Sequence, residues 1–195
     1  LEALRQPMED GIVAISRAAG TVTYPAKFLL VAAANPCPCG NFGSETKRCT
    51  CMPGTVNRYQ KRISGPMIDR IDLHVHVPAV KVEKLTDTKE SRTSRESSQS
   101  VQKRVQIARN AQVKRFAKTS CAANGEMGTK AVRELCLLPS DAHALLAQAV
   151  SRMHISARSY YRIIKVARTI ADLEGSADIA STHIAEALQY RPKED

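Results

Sequence analysis

LLVAAANPCPCG, residues 29–40, is the stretch from which the rest of the chain can be read. Leu29, Leu30, Val31 and three alanines form an unbroken apolar run, the pattern of a strand covered on both faces, as in a parallel sheet. The run stops at Asn35-Pro36. Parallel sheets gather their working groups at the carboxyl ends of strands, where a neutral amide can hold a water or a phosphate oxygen without adding charge. A second stretch, SGPMIDRIDLHVHVP at residues 64–78, opens with a helix start at Gly65-Pro66. It continues into an alternating strand, with Ile71, Leu73, Val75 and Val77 on one face and Asp72, His74 and His76 on the other. Arg70 stands at the head of that strand, within reach of a neighbouring phosphate, or of Asp69 or Asp72 in an ordinary surface ion pair.

The surrounding chain extends this into an architecture. Residues 12–17 and 21–24 are short β-prone runs flanking Ala18-Ala19-Gly20, a hairpin signal that puts Arg17 at the tip. A short helix is expected around residues 56–63. Residues 86–100 are rich in Ser and Thr and almost free of apolar side chains, as in a linker. From 101 onward the apolar spacing is helical throughout. The strongest helix carries Tyr160, Ile163, Ile164, Ala167, Ile170 and Ala171, with Ser156 as N-cap and Gly175 as its stop. The expected fold class is α/β over residues 1–80, a partial parallel sheet plus a β-hairpin. A polar basic linker follows at 81–100, then an all-α domain at 101–195.

Four stretches carry a resemblance: LEALRQPMEDG at 1–11, AAANPCPCG at 32–40, RYQKRISGPMIDRIDLHVHVP at 58–78 and SARSYYRIIKVARTIADLEG at 156–175. Together they resemble the magnesium-chelatase-like AAA+ ATPases and, more narrowly, the competence-associated ComM/YifB helicase group. The resemblance implies that residues 1–80 are the C-terminal half of an AAA+ core with a four-cysteine insertion, and that the helical part is its lid. It makes Asn35 the sensor-1 residue that orients attacking water. It makes Arg70 the arginine finger that reaches the γ-phosphate bound on the adjacent subunit. It makes Arg158, in the SAR motif, the sensor-2 arginine that touches nucleotide. ATP with Mg²⁺ is the implied cofactor of the parent protein, a homo-oligomeric ring, as a hexamer, is its implied assembly, and DNA, branched or single-stranded, is its implied partner. Arg17 then matches the channel-facing hairpin of helicase-type rings and would track a nucleic-acid backbone.

Each of these residues has a plainer reading. Arg158 could be an exposed arginine in a first helical turn, where the macrodipole disfavours a cation slightly. Asn35 could be a turn residue before proline. Arg17 could be an ordinary polar tip. Cys37, Cys39, Cys49 and Cys51 follow C-x-C-x9-C-x-C, two close thiol pairs that suit a structural Zn²⁺. Unliganded or disulfide-bonded pairs and an iron–sulfur cluster are the other possibilities. His74 and His76 lack a nearby third ligand and read as half-exposed strand residues. GEMGTK at 125–130 lacks the GK[ST] ending of a phosphate loop.

The composition is compatible with all of this. The net charge is +10, and residues 81–120 hold eleven cations against four acids, a field suited to a polyanion or a solvated face. Four of the six cysteines cluster within fifteen positions, unlike a secreted disulfide framework, so a reducing, cytoplasmic setting is expected. No apolar run reaches the roughly 18 residues of a membrane span. No G-x-x-x-x-G-K-[ST] occurs in these 195 residues, nor an apolar strand ending in Asp-Glu. Both are expected upstream in a longer parent, and this chain alone is expected to hydrolyse no ATP. Two further readings are a metal-chelatase motor subunit and a non-enzymatic, zinc-stabilised nucleic-acid-binding module.

Overall fold

The structure is a computed structural model that describes residues 2–78 and 96–192. The chain forms two compact units, and their described residues are 2–71 with 76–78, and 72–75 with 96–192.

The first unit begins with a short 3-10 turn, Glu2–Leu4, that leads into α1, Arg5–Asp10. Gly11 ends α1 in the left-handed conformation (φ 65°), its N–H bonded to the Pro7 carbonyl at 3.0 Å. The expected hairpin follows as β1, Ile12–Arg17, and β2, Gly20–Pro25, antiparallel and in register from Ile12 opposite Pro25 to Arg17 opposite Gly20. Ala18 and Ala19 keep negative φ, and Gly20 takes the positive φ (135°) that lets so short a loop reverse the chain. The Ala26 N–H closes the base of the hairpin on the Gly11 carbonyl at 2.7 Å. Further along lie α2, Pro53–Gln60, and α3, Gly65–Ile68. Pro7, Cys37, Val56 and Met67 are the buried residues among those described in this unit.

Two expected strands do not form. Residues 26–35 carry no strand, and Leu29 and Val31 are 89% and 83% exposed. Residues 71–78 likewise carry none, with Leu73, Val75 and Val77 exposed. The expected parallel sheet is therefore corrected: among the described residues the one sheet is the antiparallel hairpin. The reason is physical. A strand is held by ladder hydrogen bonds and by covered faces, and neither segment meets a strand that could supply them.

The second unit is helical, and α7 is its axis. It comprises α4, Ser98–Phe116; a 3-10 turn, Asn124–Glu126; α5, Thr129–Leu135; α6, Ser140–Arg152; α7, Ala157–Glu174; and α8, Ser181–Gln189. Helix α4 begins within the stretch expected to be a linker, because Ser97 caps it by accepting the Ser100 N–H at 3.1 Å. The rest of that linker, residues 81–95, lies outside the described residues. On α7, Ser159, Ile163, Ile164, Ala167, Arg168, Ala171 and Asp172 are buried at helical spacing. Its apolar stripe packs with Phe116, Met127, Val132, Leu146, Ile179 and Ile184. The expected caps are both present. Ser156 Oγ accepts the Ser159 N–H at 3.2 Å, and Gly175 is left-handed (φ 78°), with the Ser176 N–H returning to the Ala171 carbonyl at 2.8 Å. The segment 72–75 docks on this unit through the His74 N–H to the Tyr190 carbonyl, 2.9 Å, and an Arg162–Asp72 ion pair.

Candidate functional site

The first unit holds a compact thiol cluster. Pro36, Pro38 and Gly40 fold residues 36–40 into a tight turn, in which Gly40 is left-handed (φ 79°) and its N–H bonds the Cys37 carbonyl at 3.0 Å. This brings Cys37 Sγ to 3.3 Å from Cys39 Sγ, and Cys49 Sγ to 3.7 and 3.5 Å from those two. All four sulfurs, Cys51 included, lie within 4.8 Å of one another. A tetrahedral Zn²⁺ with bonds of about 2.3 Å requires sulfur–sulfur edges of about 3.8 Å, so the cluster is close to that geometry. Four protein ligands would leave no open position, which suits a structural ion rather than a catalytic one. All six cysteines of the chain are thiols, and no disulfide joins them.

The thiols differ electrostatically. The backbone N–H groups of Asn41 and Thr50 stabilise the Cys39 thiolate and bring its pKa down to about 5. The Cys51 N–H favours the Cys49 thiolate, but burial and the neighbouring Cys39 and Cys37 sulfurs outweigh it and push Cys49 up to about 12. Cys39 is thus biased toward the thiolate and Cys49 toward the thiol, as repulsion between close thiolates would require. Helix α2 is tied to this turn by Gln60 Nε2, which donates to the Pro36 carbonyl at 3.2 Å. Asn35 borders the turn and is exposed; its Cγ would lie 4.0 Å from a Cβ added at Gly40.

Arg70 follows α3 and is held within the first unit. Its Nη1 donates to the Pro66 carbonyl at 2.6 Å, and its Nη2 pairs with the Glu9 carboxylate on α1. The Glu9 carboxylate lies 61 positions earlier in the chain, farther away in sequence than Asp69 and Asp72, the neighbours that local reasoning suggested. The Arg70 side chain is only 11% exposed. Arg17 is exposed at the end of β1, opposite Gly20. Arg158 is exposed in the first turn of α7, in the second unit. His74 and His76 join no ligand group: among the described residues the four cysteines are the one set of three or more metal-ligating groups lying together.

Sequence reasoning missed the polar centre of the second unit. Asp172 is buried and receives Arg115 through two bonds of 2.8 and 2.5 Å, Arg168 at 3.1 Å and Asn124 at 2.8 Å. Arg168 also donates to the Ser176 and Ala177 carbonyls at 2.7 Å each, fixing the turn after α7. Burial would raise the Asp172 pKa, but the hydrogen bonds from Arg115 and Asn124 prevail and lower it. The i, i+4 spacing of Arg168 and Asp172 was the one legible sign. Arg115 and Asn124 come from 57 and 48 positions away, and nothing local announces them.

No helix among the described residues is long and apolar enough to cross a membrane. Residues 1–85 match the family described as magnesium chelatase, subunit ChlI, and residues 95–191 match its ChlI C-terminal family. The chain is 39% identical over 191 residues, 98% of its own length, to competence protein ComM of Haemophilus influenzae. It is 39% identical to YifB of Escherichia coli and 36% identical to a protein of Mycobacterium tuberculosis over the same extent. It spans 36% of the length of ComM and of YifB, and 37% of the mycobacterial protein.

Proposed function

Since the chain belongs to the magnesium-chelatase-like family that includes ComM and YifB, we propose that it is part of a ring-forming AAA+ ATPase motor that acts on DNA. The observation that carries this reading is likeness along nearly the whole chain to a protein named for competence. In this role Asn35 orients the attacking water, Arg70 reaches the γ-phosphate held by a neighbouring subunit, and Arg158 contacts nucleotide from a helical lid formed by the second unit. Arg70 suits the task chemically. Its guanidinium is planar, always charged and offers a fork of donors to a phosphoryl group in transfer. Arg17 meets the DNA backbone as one cation on a projecting hairpin, without reading sequence.

The cysteine cluster holds a structural Zn²⁺ through Cys37, Cys39, Cys49 and Cys51. Such an ion would cross-link residues 36–51, which contain no helix or strand of their own. ATP and Mg²⁺ are cofactors of the whole protein, and the phosphate cradle and the acidic strand that holds Mg²⁺ are supplied outside these 195 residues.

The test is the ATPase rate of the full-length protein with and without branched DNA, beside Arg70→Ala and Arg17→Ala. Stimulation by DNA is expected. Arg70→Ala should lower kcat by about 10³-fold, the usual scale for a lost finger. Arg17→Ala should weaken DNA binding and reduce its salt dependence by about one phosphate contact. A second reading, a motor for metal insertion into a tetrapyrrole, is favoured by the match to the magnesium chelatase subunit family. Absence of stimulation by any DNA would select it.

A further inference from the structure

The Arg70 guanidinium does not hang free over solvent. It is seated on the Pro66 carbonyl and on the Glu9 carboxylate. Glu9 lies in the last turn of α1, and the opposite end of the same segment makes a second tether: Glu2 Oε1 accepts the Ser64 hydroxyl at 2.6 Å. Two carboxylates, at residues 2 and 9, thereby grip both ends of residues 64–70, the segment that contains α3. One residue past Asp10, the left-handed Gly11 turns α1 directly into β1, and the Gly11 carbonyl closes the hairpin base through Ala26. A single short helix therefore joins the seat of Arg70 to the root of the hairpin that carries Arg17.

We infer that Glu9 is the positioning residue of Arg70 and that α1 couples the hairpin to it. The inference rests on the reading of Arg70 as a trans-acting finger. A flexible arginine loses much rotamer freedom when it must present its fork to a phosphate. A carboxylate that already holds the guanidinium has met part of that cost. The Glu9 side chain is itself only 32% exposed, so the pair is partly screened from water and stronger than a surface ion pair. A shift of the hairpin on binding a nucleic-acid backbone would move α1, and with it the carboxylate on which Arg70 rests.

The experiment uses the full-length protein and compares Glu9→Gln, Glu9→Asp, Arg70→Ala and the Glu9→Gln/Arg70→Ala double variant. ATP hydrolysis is measured with and without branched DNA. Glu9→Gln keeps the shape and a hydrogen bond but removes the charge. It is expected to lower the DNA-stimulated kcat by about 10-fold with KM for ATP unchanged within twofold. Glu9→Asp, which restores the charge on a shorter stem, is expected to recover part of the loss. The double variant should be no slower than Arg70→Ala alone, because the two residues act as a unit. If Arg70→Ala is slow while Glu9→Gln retains wild-type kcat and DNA stimulation, the positioning role is overturned and the finger reading stands. If Arg70→Ala itself is unimpaired, both fall. A Glu9→Gln loss that appears in KM as much as in kcat, or that Glu9→Asp does not relieve, also overturns the inference, since it would mark damage to the fold.

Discussion

Asp172 shows what one buried charge does in this chain. Its two oxygens are shared among Arg115, Arg168 and Asn124, so its charge is compensated by Arg168 on the same helix and by Arg115 from α4. Removing it would strand two guanidinium groups, one of them on a side chain only 4% exposed. Asp172→Ala should therefore cost about 3–5 kcal/mol in urea unfolding of the helical unit. The sign of the pH effect follows from the lowered pKa. A carboxyl depressed below its ordinary 3.8 adds stability above that value, and the stability is lost as pH falls through the folded value. Acid unfolding followed by circular dichroism should show this loss in the wild type, and a flatter profile in Asp172→Asn. Arg70 makes the complementary point: its sequence neighbours Asp69 and Asp72 are acidic, yet its ion pair is with Glu9, 61 positions earlier.

At the scale of elements, α7 is the best specified piece. Its apolar spacing, its Ser156 cap and its Gly175 stop all agree, and all three were legible because each depends on residues within a turn or two of one another. Ser156→Ala should remove the bond to the Ser159 N–H and destabilise the helical unit by about 1 kcal/mol, read as a shift of the urea midpoint. No shift would mean that solvent replaces the cap. The hairpin was legible for the same local reason, since its two strands are neighbours in sequence and the turn is Ala-Ala-Gly. The strands expected at 29–34 and 71–77 were not realised, although their composition is as strand-like as that of β1. Composition selects residues that fit a covered pleat; it does not supply the pleat's neighbours. Helix α5 fell within the region read as helical but was not singled out, because at seven residues it is too short for periodicity to stand out.

At the scale of the whole molecule, two units of different construction share one chain. The helical unit has a continuous apolar core of Leu, Ile, Val, Met and Phe. The first unit buries little beyond Pro7, Cys37, Val56 and Met67, and a unit with so small a core depends on staples. The thiol cluster is the evident place for one. Purified chain should contain about one zinc per molecule, and Cys49→Ser should lose it, as measured by elemental analysis. Stripping the metal with a chelator should lower the unfolding midpoint of the first unit by about 10 °C or more while leaving the helical unit's transition in place. Zinc content below about 0.1 per chain under reducing conditions would remove the structural ion from the account. The 195-residue chain by itself should show no ATPase above background; an activity that co-purifies with it through successive columns would overturn that expectation.

By itself the sequence determined helix α7 with both its caps, the hairpin, the four-cysteine pattern and the family, because each is written in residues close together or in motifs read whole. Only the tertiary structure decided that the four sulfurs meet within bonding range of one ion, that Arg70 rests on Glu9, and that Asp172 gathers Arg115 and Asn124. The last two are contacts between segments distant in sequence. They arise when packing closes a long loop around groups that must satisfy one another's charge and hydrogen bonds, and no local pattern encodes which partner will be found.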